Sequence, residues 1–149
     1  MDFQALFTQS KGQPIIYNGK ELKMIDRVTL KESSTKIKIT FLTTDSIWKQ
    51  GVVIKTKGYF DINDQKFSDK IVLWEYTAPK EVELIVKSKD KILVIYNVWE
   101  TLDGTIHYWH NGGAMYVEER DQTRIYDCND GVADDDFNDL VFQIIVLQN

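Results

Sequence analysis

The chain has 149 residues, of which 43% are hydrophobic and 28% are charged, and these values predict one globular domain spanning residues 1–149. Its formal net charge of −5 argues against nucleic acid as a partner, because phosphate binding needs a basic surface. The single cysteine, Cys128, excludes an intrachain disulfide framework.

The N-terminal residues show neither the basic region nor the long apolar region of a signal peptide. No apolar run approaches the ~18 residues that span a membrane as a helix. We therefore expect a protein without a membrane span that is cytoplasmic, exported by a non-classical route, or trimmed of a leader, and the compartment stays open.

The first predicted element is a short helix over residues 2–9. Asp2 fits the N-cap position, and Phe3, Leu6 and Phe7 share one helical face. A strand formed by the same residues is the alternative.

The rest of the chain has the pattern of an all-β protein. Residues 35–41 alternate strictly, which points Ile37, Ile39 and Phe41 to one face. Strands are predicted near residues 14–17, 22–31, 35–43, 47–58, 70–76, 80–87, 91–100, 105–110, 113–118, 122–127 and 139–147. Short strands separated by turn residues predict an antiparallel β-sandwich or jelly roll.

The last predicted strand, residues 139–147, is apolar on both faces. This suits a central strand of the core, or a strand covered by a second subunit, so a homo-oligomer stays open.

An acidic stretch precedes that strand. Residues 121–139 contain seven acids and one base, so this stretch produces the entire negative net charge. Crowded carboxylates raise each other's pKa and destabilise a compact state unless they are solvated or bind cations. A solvated acidic loop is the simpler interpretation, but the ordered spacing of the oxygen-bearing residues favours a metal site.

Asp134, Asp136 and Asn138 are two residues apart, so an extended backbone points them the same way, and Asp139 follows directly. Carboxylate and amide oxygens are the ligands that Ca²⁺ prefers, and Ca²⁺ accepts ~6–8 of them. The EF-hand is excluded, because Gly131 at the glycine position of that loop would put Phe137 where the bidentate Glu belongs.

The run from Asp134 to Val141 resembles the calcium loop of the small bacterial two-calcium lectins that bind fucose and mannose. That resemblance implies one or two Ca²⁺ ions and carbohydrate as the partner. It also implies a set of metal ligands and a terminal carboxylate from a neighbouring subunit. The ligands would be Asp130, Asp134, Asp136, Asn138 and Asp139, with the terminal carboxylate on Asn149.

The same run resembles a C-terminal module of secreted bacterial proteins that has an upstream D-G-x-x-H, matched here by residues 103–107. This second resemblance implies calcium and a β-sandwich, but it implies no sugar.

Tyr108, Trp109 and Asn111 are the candidates for ligand contact, together with Asp135. Tyrosine and tryptophan stack on sugar rings and keep a polar group, although a strand end with core aromatics is the alternative interpretation. Asp61, Asn63 and Asp64 repeat part of the acidic motif, and either a second metal loop or a hairpin turn accounts for them.

The sequence contains no G-x-S-x-G, H-E-x-x-H or phosphate loop, so we expect no enzyme. The leading hypothesis is a calcium-dependent carbohydrate-binding, lectin-like β-sandwich of the kind used in cell adhesion. The alternative is a calcium-stabilised structural, adhesion or protein-interaction domain, and a jelly-roll hydrolase is a distant third.

Overall fold

A computed structural model describes residues 3–109, 111–132 and 136–147. These residues form one short helix and fourteen strands, so the all-β prediction is confirmed. The elements are α1 (Phe3–Gln9), β1 (Ile15–Tyr17), β2 (Lys20–Lys23), β3 (Asp26–Thr29), β4 (Ser34–Thr44), β5 (Lys49–Lys55), β6 (Gly58–Ile62), β7 (Gln65–Phe67), β8 (Lys70–Trp74), β9 (Glu81–Ser88), β10 (Ile92–Glu100), β11 (Ile106–His107), β12 (Ala114–Arg120), β13 (Thr123–Asn129) and β14 (Leu140–Leu147).

The strands form two antiparallel sheets. The larger sheet has the order β1-β2-β12-β13-β14-β4-β9-β6-β7, and the smaller has the order β11-β10-β5-β8, with β3 also paired to β10. β14 lies between β13 and β4, so the prediction of a central core strand is confirmed. The jelly-roll form of the fold prediction stays a prediction.

The main core lies between the two sheets. The alternation predicted for β4 is observed, with Ile37, Ile39 and Phe41 buried against β10 residues such as Leu93 and Ile95. Burying this apolar surface is the main force that holds the two sheets together.

A second apolar cluster lies under the N-terminal helix. Phe3 and Phe7 of α1 are fully buried there with Leu22, Ala114 and Phe137. The helix prediction is therefore confirmed over residues 3–9, while Asp2 lies outside the described residues.

One predicted strand is divided in the structure, because residues 22–31 separate into β2 in the larger sheet and β3 in the smaller one. The strand predicted at 47–58 corresponds to β5 in the smaller sheet, while β6 of the larger sheet begins only at Gly58 and was otherwise not predicted. The chain must leave one ladder to enter the other sheet, and an apolar run does not reveal that crossing. The predicted strand at 105–110 is reduced to the two residues of β11, and β7 was not predicted.

The strand register defines two ends of the sandwich. The acidic end comprises the β4–β5 loop (45–48), the β11–β12 segment (108–109 and 111–113) and residues 130–132 and 136–139 between β13 and β14. The distal end comprises residues 29–34, 119–124 and 146–147. No helix among the described residues has the length and apolar character needed to cross a membrane.

Candidate functional site

Asp130 follows the last residue of β13 and is fully buried. Its Oδ2 accepts hydrogen bonds from Ser46 Oγ at 2.5 Å and Gln50 Nε2 at 3.1 Å, and its Oδ1 accepts one from Val132 N at 2.9 Å. Within residues 3–109, 111–132 and 136–147, no lysine, arginine or histidine forms an ion pair with Asp130. Among the described residues, therefore, only neutral donors hold this buried carboxylate.

Asp139 is the second buried carboxylate at the acidic end, with 3% of its surface exposed. Its Oδ2 accepts a hydrogen bond from Asp130 N at 2.9 Å, and its backbone oxygen accepts one from Asp45 N at 3.1 Å. Asp139 thus ties the start of β14 both to Asp130 and to the β4–β5 loop.

Phe137 anchors the segment between these two carboxylates. Its ring centroid lies 4.3 Å from that of Tyr116 and 5.8 Å from that of Phe3, inside the second apolar cluster. Its backbone N donates to Asn129 Oδ1 at 2.9 Å, and Asn97 Nδ2 holds Asn129 O at 3.0 Å. Because the Phe137 ring is buried, it anchors the backbone between residues 136 and 138.

Asn138 brings an amide oxygen to the site. Its Nδ2 donates to Asp45 Oδ2 at 3.4 Å, whereas its Oδ1 is buried and has no hydrogen-bond partner in the described part of the chain. Gln50 Oε1 is likewise buried without a hydrogen-bond partner in the described residues, while Nε2 of the same side chain donates to Asp130. A buried polar atom without a partner is costly, and both of these atoms are hard oxygens of the type that Ca²⁺ binds.

The predicted metal ligands fall into three groups. Asp130, Asn138 and Asp139 lie at the acidic end, where Asp139 Oδ2 accepts a hydrogen bond from Asp130 N, and Asp130 and Asp139 are buried. Their role as metal ligands stays a prediction. Asp136 is exposed next to them. Asp134, Asp135 and Asn149 lie outside the described residues. The residues that are described contain no group of three or more His, Cys, Asp or Glu side chains arranged to hold a metal ion.

The sequence prediction missed the contribution of the β4–β5 loop and of the start of β5. Asp45, Ser46 and Gln50 all contact the acidic segment, across as many as 93 residues of sequence. No motif in residues 45–50 signals this role, because it depends on β4 lying next to β14 and β5 crossing to the other sheet.

The aromatic segment, which is the β11–β12 connection with Tyr108 and Trp109, lies beside the acidic segment that follows β13. This is because Ala114 at the start of β12 pairs with Asn129 at the end of β13. Tyr108 is 44% exposed and packs on Tyr96 at 5.0 Å between ring centroids. Trp109 is half-buried against the second apolar cluster, which agrees with the core alternative for this residue.

Asn111, the remaining candidate for ligand contact, is exposed. Its backbone N donates to Gln4 Oε1 at 3.0 Å, and its backbone O accepts from Gln4 N at 2.8 Å. The start of α1 therefore holds this segment in place.

The buried Trp99 ring lies close to the backbone of both segments, at Gly113 and at Gly131. It is 1% exposed, and a Cβ added at Gly113 would lie 2.6 Å from its ring, while one added at Gly131 would lie 3.2 Å from its Nε1. Both glycines therefore allow their backbones to approach the indole closely.

The remaining candidates have structural roles. Asn63 and Asp64 form the turn of the β6–β7 hairpin with φ of 52° and 64°, which agrees with the turn interpretation of the Asp61 segment. Asp103 accepts hydrogen bonds from Thr101 Oγ1 and Thr105 N, and these bonds lower its pKa to about 2. Burial, and to a lesser degree Asp127 and Asp139, raise the pKa of the Cys128 thiol well above its usual value, so the thiol stays protonated.

Comparisons of this chain with protein-family models, with curated proteins and with solved structures found no match.

Proposed function

We propose that this protein is a calcium-binding β-sandwich whose acidic end recognises carbohydrate. One observation carries the calcium part of the proposal: the Asp130 carboxylate is fully buried and has no ion pair in the described chain, and it lies in the 121–139 segment, which contains seven acids and one base. Buried charges are normally paired or bound to metals, so a cation at the acidic end would complete this arrangement.

The donor set fits a hard cation. Asn138 Oδ1 is buried without a hydrogen-bond partner in the described residues, Asn138 Nδ2 donates to the exposed Asp45, and the exposed Asp136 lies two residues before Asn138 in the chain. With Asp134 added from the sequence pattern, the direct ligands would be carboxylate and amide oxygens, which suit Ca²⁺ better than Zn²⁺.

Asp130 and Asp139 would contribute in a second way. Asp130 already accepts three hydrogen bonds and Asp139 accepts one from Asp130 N. Since a carboxylate can accept about four, each would keep a lone pair for a metal while it positions the loops. The carboxylate of Asn149 from a neighbouring subunit would complete the ligand set that the lectin resemblance implies.

Carbohydrate would bind where the metal meets the surface. Vicinal hydroxyls of a sugar would replace water on Ca²⁺ and donate hydrogen bonds to nearby carboxylates such as Asp135. The exposed Tyr108 and Asn111 lie on the adjoining segment, together with the half-buried Trp109. These groups can supply stacking and further hydrogen bonds.

Thermal unfolding in EDTA, and then with Ca²⁺ or Mg²⁺, tests the calcium part. A ligand at 100 times its Kd stabilises a native state by ~2.7 kcal/mol, which at ~2–4 °C per kcal/mol gives a shift of roughly 5–11 °C. We expect a shift selective for Ca²⁺ that Asp136→Ala abolishes.

Asp61→Ala is the matched control, because it removes the same charge from the similar motif in the β6–β7 hairpin. We expect it to leave the calcium shift intact. An absence of any calcium shift in the wild-type protein would overturn the proposal.

A glycan array in calcium and in EDTA tests the sugar part. Calcium-dependent glycan binding that is lost in Asp136→Ala supports it, and binding that survives this substitution contradicts it. The second candidate is a calcium-stabilised protein-interaction domain, favoured by the 80% exposed Ile47 and the 42% exposed Val132 at the acidic end. It predicts the calcium shift without a glycan signal.

A further inference from the structure

A groove opens between the two sheets at the distal end, away from the acidic segment. Its volume is about 480 Å³, within the range of small-molecule sites. Its apolar walls are formed by β3 and the residue that follows it, and by the end of β14. The apolar lining residues are Val28, Leu30, Val146 and Leu147.

A buried ionic cluster lies at the inner end of this groove. Asp26 is fully buried, and its Oδ1 accepts hydrogen bonds from Lys23 Nζ at 3.1 Å and Arg124 Nη2 at 3.0 Å. Its Oδ2 accepts one from Tyr126 Oη at 2.6 Å. Burial raises the pKa of Tyr126, so the phenol stays neutral and the cluster holds two cations against one carboxylate.

The carboxylates that balance this positive charge lie at the protein surface and are solvated. Glu119 Oε2 lies 2.8 Å from Arg124 Nη1 with 67% of its side chain exposed, and Glu21 lies 3.8 Å from Lys23 Nζ with 56% exposed. In contrast, the Arg124 side chain is only 12% exposed and lines the groove. An ion pair with such an exposed partner contributes little, so Glu119 can be exchanged for another anion at small cost.

The other charged groups around the groove are at its rim. Lys31, Glu32 and Asp121 are exposed, so solvent and salt screen their charges. Arg124 is the charged lining group in the drier part of the groove, where an electrostatic contact is stronger than at the surface.

We propose that the distal groove binds an amphiphilic monocarboxylate. Its carboxylate would replace Glu119 at Arg124 Nη1, and its hydrocarbon chain would lie against Leu30 and Val146. The planar guanidinium is held by Asp26 and Tyr126, so it is already oriented to donate to a carboxylate. This site is separate from the calcium proposal and does not depend on it.

The test is an NMR titration of the full chain with three ligands of equal chain length: octanoate, octan-1-ol and octylamine. We expect octanoate to shift the resonances of Leu30, Arg124 and Val146, and to bind about tenfold or more tightly than octan-1-ol, since the alcohol oxygen can accept a hydrogen bond from Arg124 but carries no charge to pair with it. EDTA should leave the result unchanged.

Glu119→Gln should increase the affinity for octanoate about twofold to fivefold, because it weakens the competing ion pair. Glu118→Gln is the matched control, since Glu118 is the neighbouring acid, pairs with Arg120 and does not line the groove. It should leave the affinity unchanged.

Four results would each overturn the proposal. These are equal affinity for octanoate and octan-1-ol, tighter binding of octylamine than of octanoate, shifts confined to the acidic end, and an unchanged octanoate affinity in Glu119→Gln.

Discussion

The Asp130→Ala substitution tests whether the Asp130 carboxylate organises the acidic end even without metal. It removes three hydrogen bonds, from Ser46, Gln50 and Val132, and leaves the buried donor Gln50 Nε2 and two part-buried donors without this acceptor. Hydrogen bonds to a charged group contribute ~1.5–3 kcal/mol each, and part of this is recovered when water enters a loop near the surface. We therefore expect a loss of about 3–5 kcal/mol in EDTA.

This loss corresponds to a decrease in Tm of roughly 6–20 °C for a chain of this size. The assay is urea unfolding in EDTA followed by tryptophan fluorescence, with Tm measured by circular dichroism. Asp130→Asn keeps one carbonyl oxygen as an acceptor, so it should cost about half as much. Asp136→Ala, at an exposed position of the same segment, should change the stability in EDTA by less than ~0.5 kcal/mol.

The result would differ if repulsion among the acids dominated the energy of Asp130. Removing its charge would then leave the stability in EDTA unchanged or increase it. Such a result would refute the view that neutral donors stabilise this buried carboxylate, and with it the argument that the site is built before metal binds.

Three further predictions concern the packing and titration of the fold. Phe137→Ala should lower the free energy of unfolding in urea by about 3–5 kcal/mol, because the ring is only 6% exposed. It should also raise the calcium concentration at half-saturation, because the ring anchors the acidic segment, and an unchanged value would contradict this. Gly58→Ala should cost about 3 kcal/mol or more, since its Cβ would lie 1.8 Å from Lys87 O, whereas Gly19→Ala meets no atom within 4 Å and should cost only ~1–2 kcal/mol for its positive φ. Stability should also fall as the pH rises above about 9. Burial raises the pKa values of Cys128 and Tyr126 above their usual 9.0 and 10.0, so the unfolded chain loses these protons first. Measurements of Tm from pH 7 to 11 test this expectation. Cys128→Ala should reduce the fall in Tm just above pH 9, where the thiol of the unfolded chain loses its proton.

The sequence was sufficient for the fold class and for many of its strands. The alternation at Ile37, Ile39 and Phe41 reflects a strand with one face in the core, and that pattern is local, so it is visible in the order of residues. The same holds for β14, whose apolar run places it inside the larger sheet with Leu140, Phe142 and Ile144 buried, while its other face is half-buried. Strand breaks at sheet crossings were not visible, because β2 and β3 differ in their partners and not in their composition.

For the candidate site, the sequence determined where the acids are concentrated, since adjacent residues must share one loop. Tertiary structure decided which of them are buried and what they contact. Asp130 meets Ser46 across 84 residues, and Phe137 meets Phe3 of the N-terminal helix. The distal groove likewise depends on Arg124 and Asp26 coming together from two different sheets. Such contacts follow from strand order and register, which depend on how the whole core packs and not on any local pattern of residues.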